Sequence, residues 1–330
     1  MTWFIIFIIV VALLFDFLNG MNDAANSIAT VVSTKVLSPT QGVIWAAFWN
    51  FAAVFIFGVH VAKTIGKGIV DADIINEYVV FSALMGAIVW VYTCTRLGLP
   101  ISVSHSLIGG LIGPALLIGG PEVLIATGII KVVLFIFLSP IVGFLLGYLL
   151  MVATMWIFRK TSPRKVDGVF SVMQLLSSAV FSLGHGSNDA QKTIGIITIL
   201  LFSTGNLTGE FHVPVWVIFA SYTTIGLGTL AGGWKVIKTL GTSLTHLKPV
   251  QGFCAETAGA ISVIGSTLGG IPVSTTHTIT GSIMGVGSVK RLSAVRWGVA
   301  GNIIVAWVLT IPGAMLISTG VYWVVNLIVK

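Results

Sequence analysis

Charge is what this 330-residue sequence has least of: 10 residues are acidic and 17 basic, so only 8% of the chain is charged. A water-facing domain carries roughly 25%. Such poverty excludes a soluble enzyme, a disordered tail and a nucleic-acid-binding domain. Cysteine is also scarce. Cys94 and Cys254 both fall in apolar segments, which excludes a disulfide framework. There is no Walker A sequence, so ATP-driven pumping within this chain is excluded at the motif level. No His-Glu-x-x-His or Cys/His spacing marks a zinc site. With no nucleophile–base pair standing out, a membrane enzyme is the least favoured class.

What the chain has in excess is apolar residue, 56% of the total, with a mean hydropathy of +1.04. Apolar runs recur near 2–18, 41–62, 78–95, 123–158, 169–185, 213–233, 252–268 and 297–329. Shorter Gly- and Ser/Thr-rich elements lie near 24–35, 101–118, 190–203 and 272–288. Runs of roughly 18 or more apolar residues are what bilayer-spanning helices need. The expected fold is therefore an all-α, multi-pass protein of the cell membrane. The first run begins without a basic stretch and ends at Asp16, so it reads as a first spanning helix, not a removed signal peptide. The runs 123–158 and 297–329 are long enough that Pro140 and Pro312 are expected to kink or divide them.

The basic residues form no single patch for nucleic acid. They gather between apolar runs, at Arg159, Lys160, Arg164 and Lys165, at Lys235, Lys238 and Lys248, and at Lys290, Arg291 and Arg296, as cytoplasmic loops do.

The sequence repeats. Gly20-Met21-Asn22-Asp23-Ala24 returns as Gly186-Ser187-Asn188-Asp189-Ala190, 166 residues later. Pro100-Ile101-Ser102-Val103-Ser104-His105-Ser106 returns as Pro272-Val273-Ser274-Thr275-Thr276-His277-Thr278, 172 residues later. The same 172 carries Gly109 to Gly281, Gly113 to Gly285 and Pro140 to Pro312. Equivalent loops differ in charge. Lys63 and Lys67 face Asp71, Asp73 and Glu77 in one, against three lysines and no acid at 235–248; Glu122 stands alone at 119–122, against three basic residues at 290–296. Opposite bias places equivalent loops on opposite faces. That predicts two inverted transmembrane repeats, 1–158 and 169–330, joined by a short basic cytoplasmic linker at 159–168, with broken or re-entrant helices meeting at a central binding site.

Apart from loop residues, the acids are Asp16, Asp23, Asp189 and Glu256. A carboxylate at membrane depth costs several kcal/mol unless it is paired, protonated or bound to a cation. Asp23 and Asp189 hold equivalent places, each after an asparagine (Asn22, Asn188), and symmetry brings them together. Two carboxylates with asparagine carbonyls make a hard oxygen cage for Na⁺, or for a proton; the plainer alternative is helix capping by Asn-Asp. Glu256 is either a third cation ligand or a mid-helix ion-pair partner. In the Pro-x-Ser segments, proline opens a short helix and hydroxyls line its first turn, so amides and a positive dipole end form an anion site. Its candidate ligands are Ser102, Ser104 and Ser106, and Ser274, Thr275, Thr276 and Thr278; Ser/Thr-mediated helix packing is the alternative. Asn26 and Lys192 extend this set, with Lys192 able to pair with Asp189, to meet the substrate or to snorkel. His105 and His277 are supporting residues, satisfied in the core, holding the hairpins or sensing protons.

At these residues the sequence resembles the PiT family of inorganic phosphate transporters. The resemblance is carried by GMNDAANS at 20–27, GHGSNDAQKTIG at 184–195, LPISVSH at 99–105, GFCAET at 252–257 and IPVSTTH at 271–277. It implies a secondary symporter with an inverted-repeat core that imports phosphate with Na⁺ or H⁺ by alternating access. By motif position, Asn22, Asp23, Asn188 and Asp189 would lie at the cation and phosphate site, and the Ser/Thr of both Pro-x-Ser segments would bind the anion. The sequence departs from the family where many members carry Glu, 27 residues after the first signature Asp; here Asn50 stands there. The short linker around 159–168 favours a prokaryotic protein. The expectation is thus a Na⁺-coupled phosphate importer without a cofactor, embedded in lipid, its partners phosphate and Na⁺. An H⁺-coupled symporter, a sulfate permease and a channel are the alternatives, and a homodimer is left open as its assembly.

Overall fold

The computed structural model describes residues 1–59, 61–62, 68–271 and 273–329. The expectations resting on Lys63, Lys67 and Pro272 lie outside them. Among the described residues there are eleven α-helices and no β-sheet. They are α1 (Trp3–Ser33), α2 (Pro39–Ala52), α3 (Glu77–Leu97), α4 (Val103–Gly119), α5 (Ala126–Ile157) and α6 (Pro163–Ser203). Then follow α7 (Val215–Ala231), the short α8 (Trp234–Lys238), α9 (Pro249–Leu268), α10 (Thr275–Ser288) and α11 (Trp297–Val329). Helix starts follow local chemistry. Asn76 Oδ1 accepts from the Tyr78 and Val79 amides at 3.0 Å to open α3. Ser38 and Gln41 form a reciprocal capping box with Pro39 in the first turn of α2.

Six helices are long and apolar enough to cross a bilayer, seven if α7 is counted with the segment Trp234–Ser243, bent from it by 66°. The 41 residues of α6 would reach roughly 60 Å at ~1.5 Å per residue, twice a hydrocarbon core of ~30 Å. The α6 helix therefore tilts or projects from the bilayer. The chain is a multi-pass membrane protein whose polarity is inverted: Ile130, Leu134, Phe137 and Ile141 on α5 are exposed at helical spacing, while the polar side chains of α1 and α6 around Asp23 and Asp189 are buried.

Equivalent helices pack in equivalent pairs across the two halves. The α5 helix packs on α10 and α11 on α4; α1 packs on α7 and α6 on α2; α1 packs on α3 and α6 on α9. The repeat landmarks Gly109 and Gly281 have a physical role in this. A Cβ there would lie 2.4 Å from the Ile311 carbonyl of α11 and 2.1 Å from the Pro140 carbonyl of α5. Only glycine allows a backbone that close.

Three expectations are corrected. The chain does not break at Asn22-Asp23 or Asn188-Asp189; α1 and α6 run through both as continuous helices. The asparagine side chains bond to neighbouring helices, so they do not compete with their own backbone ladder. Nor do Asn22-Asp23 and Asn188-Asp189 cap anything, since they lie in helix interiors. Finally, Pro140 and Pro312 do not divide their runs: each sits inside one helix, as proline can where packed neighbours compensate. Of the expected linker 159–168, helix α6 takes everything from Pro163 onward.

Candidate functional site

The site is where α1 crosses α6. Gly20 and Gly186 prepare the crossing: a Cβ at Gly20 would meet the Ile225 carbonyl of α7 at 2.2 Å, and one at Gly186 the Asn50 carbonyl of α2 at 2.4 Å. One turn on, Asp23 and Asp189 face each other, 2% and 0% exposed. An oxygen of each and a ring nitrogen of His185 lie within 4.8 Å of one another. Two unpaired carboxylates at that spacing repel by roughly 3.5 kcal/mol at an effective dielectric of 20, so the pair demands positive charge.

Part of that demand is met within the protein. Lys192 Nζ pairs with Asp189 Oδ1, His185 Nε2 lies 3.2 Å from Asp189 Oδ2, and Thr275 Oγ1 donates to the same oxygen at 3.3 Å. Asp23 accepts from Thr276 Oγ1, at 3.1 Å. Asn26 Nδ2 donates to Thr276 Oγ1 at 2.9 Å and Thr275 Oγ1 at 3.3 Å, tying α10 to α1. Behind His185, Nδ1 contacts Asn50 Oδ1 at 3.0 Å, and Asn50 Nδ2 donates to Thr229 Oγ1 at 2.9 Å.

The flanking asparagines are oriented by their partners. Asn22 Nδ2 donates to Thr95 Oγ1 at 2.7 Å, and Asn188 Nδ2 donates to Thr267 Oγ1 at 2.9 Å. Each threonine hydroxyl already donates to its own helix, at Val91 and Val263, so its oxygen must accept and the amide must turn its NH₂ that way. The amide carbonyls are thereby left over. Among the described residues, Oδ1 of Asn22, Asn26 and Asn188 is buried and accepts no hydrogen bond. Uncommitted carbonyl oxygens are the neutral ligands that a hard cation such as Na⁺ accepts alongside carboxylates.

The two hairpin helices start alike. Ser102 Oγ accepts from the His105 amide at 3.3 Å, and Ser274 Oγ from the His277 amide at 3.2 Å. His105 and His277 meet edge to face, ring centres 5.0 Å apart. His277 also stacks on Trp307 at 3.9 Å, and its Nδ1 contacts the Ile136 carbonyl at 3.3 Å. Ser106 and Thr278 donate back into their own segments, to Val103 O and Ser274 O. Ser104 is buried in the first turn of α4, but hydrogen bonds to the aspartates come from Thr275 and Thr276 on α10, and none from α4 among the described residues.

Glu256 belongs to a separate cluster. Its carboxylate accepts from Thr30 Oγ1 at 2.5 Å, from Gln174 Nε2 at 3.1 Å and from Ser177 Oγ. Thr30 is seven residues beyond Asp23, about 10 Å along α1. Among the described residues it has no cationic partner and shares no hydrogen bond with the aspartates. A further buried acid, Asp16, accepts from Thr193 Oγ1 at 2.9 Å.

Sequence reasoning missed His185, Thr95, Thr267 and the hydroxyl set around Glu256. Three of these residues had a signal. Thr95 and Thr267 are 172 apart, the offset already known from the hairpins, and His185 lies four residues, one helical turn, before Asp189.

The sequence profile of the phosphate transporter family matches residues 19–318. A Rhizobium meliloti protein named as a probable low-affinity inorganic phosphate transporter is 54% identical over 321 residues, covering 97% of this chain and 96% of its own. A Bacillus subtilis protein of the same name is 41% identical over 325 residues, covering 98% and 97%. The solved structure of a sodium-dependent phosphate transporter superposes with a TM-score of 0.91 at 27% identity, covering 99% of this chain and all of that one.

Proposed function

The chain belongs to the phosphate transporter family, and from that premise we propose that it is a secondary active symporter importing inorganic phosphate with Na⁺ by alternating access. The observation that carries the reading is the buried meeting of Asp23 and Asp189, each preceded in its helix by an asparagine whose carbonyl is uncommitted. A phosphate anion brought there meets like charge, and at ~4 Å two unit charges repel by roughly 4 kcal/mol at an effective dielectric of 20. A cation must arrive first, and that requirement is the physical root of coupling. The cation ligands in this reading are Asn22, Asp23, Asn188 and Asp189, with Glu256 of α9, bonded to Thr30 farther along α1, a staging carboxylate. The hydroxyls and amides opening α4 and α10 (Ser102, Ser104, Ser106, Ser274, Thr275, Thr276 and Thr278), with Asn26, bind phosphate.

Halves 1–158 and 169–330 act as inverted repeats, with 159–168 cytoplasmic, and rock about the crossing to open the site to alternate faces. The paired packing of equivalent helices supports this, as does the likeness to a sodium-dependent phosphate transporter. The test is uptake of labelled phosphate into proteoliposomes under an imposed gradient of Na⁺ or of pH. Accumulation driven by inward Na⁺ and abolished by its replacement with choline is the expected result. Accumulation driven by a pH gradient alone would name the proton instead, strong competition by sulfate would broaden the substrate, and unsaturable downhill flux would mean a channel.

A further inference from the structure

Positions related by the 166-residue offset show where the two halves part. Asn22 and Asp23 repeat as Asn188 and Asp189, but Asn19 becomes His185 and Asn26 becomes Lys192. The first half surrounds its aspartate with neutral amides; the second supplies two nitrogen bases. Lys192 is 1% exposed, and its ammonium is spent on Asp189. Asn26, its counterpart, turns to Thr275 and Thr276 and leaves Asp23 without a cation. A buried ammonium can exist at this depth only against a counter-charge, and Asp189 is the one acid within bonding distance of Lys192 among the described residues.

We propose that Lys192 is a tethered coupling cation: its ammonium permanently fills the cation place beside Asp189, leaving a single exchangeable place beside Asp23. The proposal rests on the symporter reading and sharpens it. Two carboxylates held at close range need two positive charges before a further anion is tolerated. Where both flanking positions carried asparagine, both charges would have to come from solution and be carried with phosphate. Here one is built into the chain, so each phosphate moves with one mobile cation fewer, and the site is half neutralised before any ion arrives. Lys192 is thus assigned to stoichiometry and not to phosphate binding, since its ammonium is already engaged.

The experiment restores the symmetry with Lys192→Asn and keeps the charge with Lys192→Arg. Cation and phosphate fluxes are counted together in proteoliposomes, using labelled Na⁺, a pH-sensitive dye and labelled phosphate. Lys192→Asn is expected to carry one more cation per phosphate than the unmodified protein, with a steeper dependence of rate on Na⁺. Lys192→Arg is expected to keep the original ratio. An unchanged ratio in a transporting Lys192→Asn, or a weakened phosphate affinity at constant ratio, overturns the proposal and leaves the symporter reading standing. Uptake by the unmodified protein that ignores both gradients overturns both. If Lys192→Asn does not transport, Na⁺ titration of the detergent-purified variant decides. A Na⁺-dependent rise in melting temperature larger than that of the unmodified protein supports the new site, and no such gain refutes it.

Discussion

The two halves share their landmarks but divide the work unequally. Asp189 is held by Lys192, His185 and Thr275, whereas Asp23 has one hydroxyl, from Thr276. Both hydroxyls come from α10. In the equivalent turn of α4 the matching residues are Val103 and Ser104, and valine has nothing to donate. Matching motifs frame the site, and the positions where they differ give it a polarity: Asp189 has a cationic partner and Asp23 a single hydroxyl among the described residues. For the proposed rocking between two states a small imbalance would suffice, because a conformational equilibrium is biased by differences of a few kcal/mol.

The largest effect should come from neutralising the aspartates singly, and the two should differ in sign on stability. Asp23→Asn removes a buried carboxylate that has no ion-pair partner among the described residues, and with it the cost of an unpaired charge at membrane depth. The variant should melt at the same temperature as the unmodified protein or higher when Na⁺ is absent. Asp189→Asn strands the Lys192 ammonium, and breaking a buried pair from one side costs about 3–5 kcal/mol. That variant should melt markedly lower, and the double change Asp189→Asn with Lys192→Met should recover most of the loss. Both single variants should lose coupled uptake. Equal melting shifts in the two would erase the distinction between the halves.

A smaller effect tests the hairpins. Thr276→Val removes the hydroxyl shared between Asp23 and Asn26. A hydrogen bond to a charged group contributes about 1.5–3 kcal/mol, so phosphate uptake efficiency should fall by roughly ten- to a hundredfold. Ser104→Ala, at the matching place in α4, makes no bond to the aspartates and should cost less than threefold by the same scale. Should Ser104→Ala prove as damaging, α4 must swing onto the pair during the cycle and the hairpins are equal partners in time, though not in this conformation.

Much of this was legible in sequence, for a definite reason. Residues that occur twice at a fixed offset announce themselves, as the two aspartates, Asn22 and Asn188, most of the hairpin hydroxyls and the packing glycines Gly109 and Gly281 do. The all-α membrane fold followed from the scarcity of charge. The Glu256 cluster was not legible because it is not duplicated. By the same offsets the counterparts of Gln174, Ser177, Glu256 and Thr30 are Ile8, Val11, Leu84 and Ile196, all of them buried and apolar. Continuity of α1 and α6 through Asn-Asp was missed because a polar pair in an apolar run looks like a break until its partners are known. Those partners, Thr95 and Thr267, lie 73 and 79 residues away in sequence.

The smallest effect addresses a feature in which the halves match. Thr95 and Thr267 each accept from an asparagine amide and each donate to the carbonyl four residues back. Replacing either by valine removes the acceptor that fixes the amide, at about 1 kcal/mol for a neutral hydrogen bond. The freed amide can then turn its NH₂ toward the aspartates, opposing a bound cation with a donor where a carbonyl stood. Half-saturating Na⁺ should therefore rise by roughly fivefold in each variant. In the double variant the two shifts should combine to within ~0.5 kcal/mol of additivity, because they share no partner. If Thr267→Val weakened Na⁺ dependence far less than Thr95→Val, the mobile cation would lean on Asn22 alone, and the division between a tethered charge on one side and an exchangeable one on the other would extend to the asparagines as well.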